Sequence, residues 1–269
     1  MYFFSSQWDQ YLKQLQNDKK GHFYEHKGSP IVFLNNETYV GGEENFLEWA
    51  KNEFRYTDKS MRSIYKKLAS DAHRIAVNET PGRSYVYMNI NTGANVTSKV
   101  VIELFEDICP KTCENFRQLC CGYEKAGISE KVSYINSEFH RVVKGMYVQG
   151  GNLSKLFNSK DGSGFSIYNG EFADESFEVK HKEVGLLGMC KRGGIPDTND
   201  TQFYVTTGAP LTFMDGKTVI FGRVVEGFRV FKLIEKMDTV NEKPSPSVTI
   251  ESAGIYTLEK LKSKDSISI

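Results

Sequence analysis

The side chains with the widest chemical repertoire in this 269-residue chain are its five cysteines. Cys109, Cys113, Cys120 and Cys121 fall within one predicted helix, and Cys190 lies apart from them. The total is odd and four of the five lie in one helix, which is not a disulfide framework and indicates a reducing compartment. Cys109 and Cys113 are four residues apart, but there is no CxxC motif and no nearby histidine. The sequence therefore predicts no metal site and no cofactor.

Charge and hydropathy exclude two broad classes of partner. The chain has 34 basic and 34 acidic residues, so its formal net charge is zero. Nucleic-acid-binding proteins usually carry a basic excess or a basic stripe. Apolar runs stay well short of the ~20 residues of a membrane span, and the N-terminus lacks the features of a signal peptide. We expect a cytoplasmic protein that binds neither nucleic acid nor membrane.

The first segment, residues 1–79, is predicted to be a small α+β unit. Apolar residues recur at helical spacing, and an Asn35–Asn36 turn separates two short β-like runs. Acidic residues then open a helix, as its dipole favours. The predicted elements are a helix at 8–15, strands at 30–34 and 38–40, and helices at 43–54 and 61–75.

A turn-rich stretch at 77–84 ends this unit, and residues 80–258 follow a different pattern. Short β-like runs alternate with glycine-rich loops, and two helices are predicted, one from Cys109-Pro110 to Gly122 and one at 228–237. Many short strands with few helices predict a closed barrel whose ends are plugged by helices. Residues 259–269 form a Ser/Lys tail that is predicted to be flexible.

Ordered motifs between residues 84 and 257 resemble the cyclophilins, a family of peptidyl-prolyl cis-trans isomerases. They are PKTCENF at 110–116, FHRVV at 139–143, QGG at 149–151, FADESF at 172–177, TQFY at 201–204 and DGKTVIFG at 215–222. Each motif alone is weak, and the ordered set is specific. The resemblance implies a mainly β fold, a closed eight-stranded antiparallel barrel capped by two helices.

The resemblance also implies a reaction, isomerisation of the peptide bond before proline, which has a barrier of ~18–20 kcal/mol. No covalent bond breaks, so the site must prefer the twisted amide. The twisted prolyl nitrogen regains its lone pair, and a fixed donor stabilises it. The resemblance gives Arg141 this role and Gln149 a contact with the peptide backbone. Taken alone, Arg141 would be interpreted as a member of a surface ion pair.

The resemblance implies a proline-binding slot with further substrate contacts beside it. Its residues are Met146, Tyr147, Tyr204, Phe213 and Met214 in the slot, with Cys190 and Thr218 beside them. Several depart from the family pattern, which has Phe-Met at 146–147, Phe at 204, Trp at 213, Leu at 214, His at 218 and Ala-Asn at 190–191. The loop at 192–200 is about two residues longer than usual. The lost Trp donor predicts weak cyclosporin binding, and the Tyr204 hydroxyl needs a partner.

Two hypotheses for function therefore stay open: an active isomerase that assists protein folding, and a catalytically weak or inactive scaffold. Residues 30–43 faintly resemble the second half of a glutaredoxin-like fold, but no cysteine precedes Cys109, which excludes thiol chemistry there. We expect this unit to bind a protein partner. Its combination with a divergent cyclophilin domain resembles a subgroup associated with ciliated cells, which implies the ciliary axoneme as one setting for a scaffold.

Overall fold

The computed structural model divides into two compact units, one built mainly from residues 7–79 and the other mainly from residues 80–269. The residues that it describes are 12, 15, 31–34, 38–55, 82–93, 96–125, 131–156 and 165–257. Leu12 and Leu15 are helical, as predicted. The predicted helix at 61–75 and the tail at 259–269 lie outside the described residues.

The N-terminal unit contains a short hairpin followed by a helix. Strands β1 (Val32–Leu34) and β2 (Thr38–Gly41) pair in antiparallel fashion. Helix α1 (Glu43–Phe54) begins after Gly42, whose N–H donates to the side-chain oxygen of Asn45 at 3.2 Å. This bond satisfies a donor that the start of the helix would otherwise leave without a partner. The strand–strand–helix order predicted from the sequence is therefore present.

The second unit is built around one antiparallel sheet, whose strands alternate inward and outward side chains. The strands in chain order are β3 (Ser84–Asn91), β4 (Thr97–Leu104), β5 (Glu138–Phe139), β6 (Arg141–Val143), β7 (Tyr147–Gly150), β8 (Leu186–Lys191), β9 (Asn199–Thr206) and β10 (Ile220–Glu226), followed by the short hairpin β11 (Asp238–Val240) and β12 (Lys243–Ser245), and by β13 (Val248–Ile255). The sheet order is β5-β13-β3-β4-β10-β8-β9-β7-β6.

The sheet closes on itself through the stretch 138–143. Strand β5 pairs with β13 and strand β6 pairs with β7, so this stretch joins the two edges of the sheet. Only His140 separates β5 from β6, and its N–H still donates to the Gln149 carbonyl at 3.1 Å. Counted as one strand, β5 and β6 give eight strands in a closed barrel. The fold predicted from the sequence is confirmed.

Two helices plug the barrel with aromatic rings. Helix α2 (Pro110–Cys121) begins with proline at its first position and ends at Gly122, where φ is +92°. Its Phe116 lies 5.1–5.3 Å, centroid to centroid, from Tyr134, Phe203 and Phe221. Helix α3 (Arg229–Lys236) presents Phe231 to Phe139 at 5.8 Å. Within the described part of the chain, no helix is both long and apolar enough to cross a membrane.

The buried cysteines in and just before helix α2 are structural. Cys109, Cys113 and Cys120 are buried, and none of the five cysteines forms a disulfide. Burial raises the pKa of the Cys109 thiol to about 12 and raises those of Cys113 and Cys120 as well. Because the thiolate is the reactive form, these side chains behave as small apolar groups in the core.

Candidate functional site

Arg141 and Gln149 lie directly opposite each other on the paired strands β6 and β7. Across the next pairing Gln149 faces Tyr204 of β9, and Tyr204 in turn faces Gly188 of β8. Directly opposed residues project to the same face of a sheet, so these four positions form a row across four strands. The sequence neighbours of this row, such as Val142, belong to the barrel core, so the row lies on the outer face.

An apolar cluster covers the middle of this row. Tyr204 is 2% exposed and is packed with Phe105, Leu186 and Ile220. Half-buried residues complete the cluster, among them Tyr147, Cys190 and Met214. The rings of Tyr147 and Tyr204 are 5.3 Å apart. The structure thus brings together four of the residues that the sequence predicted to bind substrate.

Two predicted slot residues are placed differently. Met146 lies in the turn between β6 and β7, where its carbonyl accepts the N–H groups of Thr207 and Gly208 at 2.8 and 3.1 Å. Phe213 lies in the short 3₁₀ turn Thr212–Met214 and is 55% exposed. A substrate that packs against Phe213 would therefore cover an apolar surface that water now reaches.

The Tyr204 hydroxyl finds its partners in a buried polar network. It lies 2.7 Å from Nε2 of His181 and 2.8 Å from Oγ1 of Thr218. His181 is 1% exposed, and its Nδ1 and its backbone N–H each lie 2.8 Å from Oδ1 of Asp215. These bonds hold the pKa of the Asp215 carboxyl below its usual range, the backbone N–H of His181 contributing most. Thr218, predicted as a substrate contact, serves here as a partner of Tyr204.

Gly188 makes room for the additional hydroxyl group. A β-carbon at residue 188 would collide with the ring end and the hydroxyl of Tyr204, and it would lie 2.8 Å from Cε1. The tyrosine ring therefore passes directly over the backbone of β8 on its way to His181. His181 and Asp215 were not identified as members of this network from the sequence, since His181 stands between two lysines and Asp215 was known only as the first residue of the motif at 215–222.

Gln149 is held by a chain of side-chain hydrogen bonds. Its amide nitrogen donates to Oε1 of Gln202 at 3.1 Å, and the Gln202 amide donates to Oδ2 of Asp200 at 3.1 Å. The Gln202 backbone N–H also donates to Asp200, at 2.6 Å. The Gln149 amide oxygen takes no part in this hydrogen bond, and it can accept a hydrogen bond from a peptide N–H.

Arg141 forms an ion pair on the surface. Its Nε donates to Oε2 of Glu242 at 2.7 Å, and the two side chains are 44% and 51% exposed. The hydrogen bond to Glu242 raises the pKa of the guanidinium, which is charged throughout the physiological range. The guanidinium carbon also lies 6.0 Å from the centroid of Tyr147. Arg141 is thus a surface ion-pair member that stands next to the apolar cluster, and its partner Glu242 was not predicted from the sequence.

The loop after β8 is anchored by a buried ion pair. Nζ of Lys191 lies 2.6 Å from Oδ2 of Asp174, and both side chains are nearly inaccessible to solvent. Asp174 also accepts the Asp197 N–H at 3.1 Å and the Asn199 side-chain amide at 3.0 Å. Asp174 therefore ties both ends of this loop together beside Cys190, and the greater length of the loop stays a prediction.

The described side chains of the site suit non-covalent chemistry. No group of three His, Cys, Asp or Glu side chains in the described part of the chain is arranged to hold a metal ion. The site offers a cation, an amide and an apolar ring cluster in one row. Such a set can hold an extended peptide and stabilise a change in its electron distribution, and it contains no activated nucleophile.

A closed eight-stranded barrel with this row on its outer face defines a cyclophilin fold. The family model "Cyclophilin type peptidyl-prolyl cis-trans isomerase/CLD" matches residues 85–255, and the chain belongs to this family.

Curated relatives match nearly the whole chain, including most of the N-terminal unit. The human protein named "Probable inactive peptidyl-prolyl cis-trans isomerase-like 6" is 34% identical over 250 residues, which cover 92% of this chain and 77% of the human protein. The bovine protein of the same name is also 34% identical, with 92% and 78% covered. The mouse protein is 33% identical over 254 residues, with 93% and 78% covered.

Proposed function

We propose that the chain binds proline-containing segments of proteins on the outer face of its barrel and isomerises the bond before proline, at a reduced rate. The observation that supports this most directly is the cross-strand pair of Arg141 and Gln149 beside the cluster of Tyr147 and Tyr204. The pair supplies a cation and an amide, and the cluster supplies an apolar surface.

The residues divide the work between binding and catalysis. The proline ring packs against Tyr147 and Met214. This contact removes apolar surface from water, which contributes roughly 25 cal/mol of binding free energy for each Å² buried. The amide oxygen of Gln149 accepts a peptide N–H and fixes the chain on one side of the bond. Arg141 donates to the prolyl nitrogen when the amide is twisted, and each 1.36 kcal/mol of such stabilisation increases the rate about tenfold.

The test is the relaxation of a proline tetrapeptide from cis to trans in the presence of the protein. Wild type should accelerate relaxation, and Arg141→Ala should lose most of the acceleration. Arg117→Ala is the matched control, since Arg117 lies on helix α2 and pairs with Glu114. If Arg141→Ala and Arg117→Ala are equally active, Arg141 does not have the proposed role.

A scaffold that binds a partner through residues 1–79 is the second candidate, and the exposed aromatic surface of helix α1 favours it. Phe54 is 69% exposed, and its ring stands edge-on to Trp49 at 5.3 Å. A shallow groove beside Trp49 is lined by Tyr39, Val40 and Asn45, among others. Exposed aromatic groups of this kind often mark protein contacts.

Proximity labelling in ciliated cells tests the scaffold, using the full chain and its Phe54→Ser variant. The scaffold hypothesis predicts a specific set of neighbours, in the cytoplasm or the axoneme, that the variant loses. Arg141→Ala should keep the same neighbours, because it leaves helix α1 unchanged. Identical neighbours for wild type and Phe54→Ser would exclude this surface.

A further inference from the structure

The turn between β11 and β12 has an unusual composition for its conformation. Its two central residues, Asn241 and Glu242, have φ of +50° and +63°. Positive φ at both positions of a two-residue hairpin loop is the type I′ pattern, which favours Asn-Gly. Glutamate rarely adopts this conformation. A residue kept where glycine fits better directs attention to what its side chain contacts.

The turn is fastened to the strand that carries Arg141. The Glu242 carbonyl accepts the N–H of Val142 at 2.7 Å, so the turn lies along strand β6. The next residue, Lys243, pairs with Glu138 of β5 at 2.6 Å. These two attachments place the Glu242 side chain beside Arg141, one residue before Val142.

The resulting ion pair occupies the guanidinium of Arg141, the group on which catalysis would depend. Oε2 of Glu242 accepts the hydrogen bond from Nε of Arg141 at 2.7 Å. A hydrogen bond between two charged groups is shorter and stronger than one between neutral groups. The carboxylate also lowers the positive potential that the guanidinium can offer to a developing lone pair. Arg141 must therefore donate to the prolyl nitrogen of the peptide while its charge is partly neutralised by Glu242.

We propose that Glu242 is a built-in restraint on Arg141, which slows isomerisation while leaving peptide binding intact. This inference rests on the proposed function and specifies how the same site is regulated. The ring cluster and Gln149 bind the peptide without Arg141, so removal of the carboxylate should change the rate more than the affinity. Because the pair is about half exposed, the effect should be modest, about two- to fivefold.

The experiment compares kcat/KM of the full chain with that of Glu242→Gln on a proline tetrapeptide, with peptide affinity measured in parallel by chemical-shift titration. Glu124→Gln is the matched control, because it removes the same charge from an exposed ion pair, that with Lys131, which lies beyond the end of helix α2. We expect a two- to fivefold increase for Glu242→Gln (about the effect of removing one half-exposed ion pair), little change for Glu124→Gln, and unchanged affinity in both. Glu242→Gly, which suits the positive φ, provides a second variant.

Two further measurements distinguish a restraint from a structural effect. The double variant Arg141→Ala/Glu242→Gln should be as slow as Arg141→Ala, because the restraint acts only through Arg141. Salt screens exposed ion pairs, and the Debye length falls about fivefold between about 20 and 500 mM NaCl. Wild-type activity should therefore rise over this range, and that of Glu242→Gln should not.

The opposite outcomes overturn the inference. A Glu242→Gln variant that is equally active or slower would show that Glu242 is neutral or that it positions Arg141 productively. If every variant binds the peptide and none accelerates relaxation, the restraint is refuted and the binding function remains. If the wild type does not bind the peptide at all, the proposed function fails, and this inference fails with it.

Discussion

The two ends of the candidate site are built in opposite ways. At one end Tyr204 is buried and its hydroxyl is fixed by His181 and Thr218. At the other end Arg141 is exposed and is held by one carboxylate, that of Glu242. Buried hydrogen-bonded groups strongly affect stability, whereas exposed ion pairs contribute little to it. We therefore expect changes at the Tyr204 end to alter stability and changes at the Arg141 end to alter rate.

The largest effect on stability is expected from His181→Ala. This change leaves a cavity and removes a hydrogen-bond partner from both Tyr204 and Asp215, at a cost of about 2–4 kcal/mol. Urea unfolding measures the loss, and the m value should stay unchanged. A loss below about 0.5 kcal/mol, the usual range of surface changes, would mean that the network does not stabilise the barrel.

Gly188→Ala should come next, with a loss of about 1–3 kcal/mol from overpacking. The new methyl group collides with the Tyr204 ring, so the loss should shrink when Tyr204→Leu is also present. A double-mutant cycle on thermal unfolding gives the coupling between the two sites. Additive effects would argue against a direct contact between residue 188 and Tyr204.

Tyr204→Phe tests the hydroxyl alone and should cost about 1 kcal/mol. The loss is limited because Thr218 lies 3.2 Å from Nε2 of His181 and can take over as its partner. Isomerase activity should change little, since the ring remains in place. A large fall in activity with unchanged stability would assign the hydroxyl a direct role on the substrate.

The smallest effect on stability is expected from Asp215→Asn, and it concerns the response to acid. The pKa of Asp215 is depressed in the folded state, chiefly by the backbone N–H of His181. The stabilisation from this carboxylate is therefore complete above its unfolded pKa, near ~4, and is lost as the pH falls through the lower folded value. Asp215→Asn should flatten that part of the stability curve between pH 5 and 2, as monitored by circular dichroism. An unchanged slope would contradict this contribution.

The sequence predicted those parts of the fold that depend on local signals. The hairpin of β3 and β4, Pro110 at the start of helix α2 and Gly122 at its end are each readable within a short window. It also predicted that the Tyr204 hydroxyl needs a partner. The identity of that partner could not be predicted, because His181 and Tyr204 are 23 residues apart and meet only in the folded barrel.

The Arg141 end shows the same limit more strongly. The motif at 139–143 places Arg141 on a strand, and the pairing with Gln149 follows from the hairpin that these strands form. Glu242 is 101 residues away and reaches Arg141 only because the β11–β12 turn docks on Val142. The surface ion pair that Arg141 alone would predict is present, with Glu242 as its partner, and the catalytic role of Arg141 stays a prediction.

The most direct test of the account is exchange NMR on a proline peptide in the presence of the full chain, because it separates binding from isomerisation in one sample. For wild type we predict shifts on binding together with cis–trans exchange peaks that free peptide does not show on this timescale. For Arg141→Ala we predict the binding shifts without the exchange peaks, and a stability within about 0.5 kcal/mol of wild type. Exchange peaks of equal strength in both proteins would contradict the central role of Arg141.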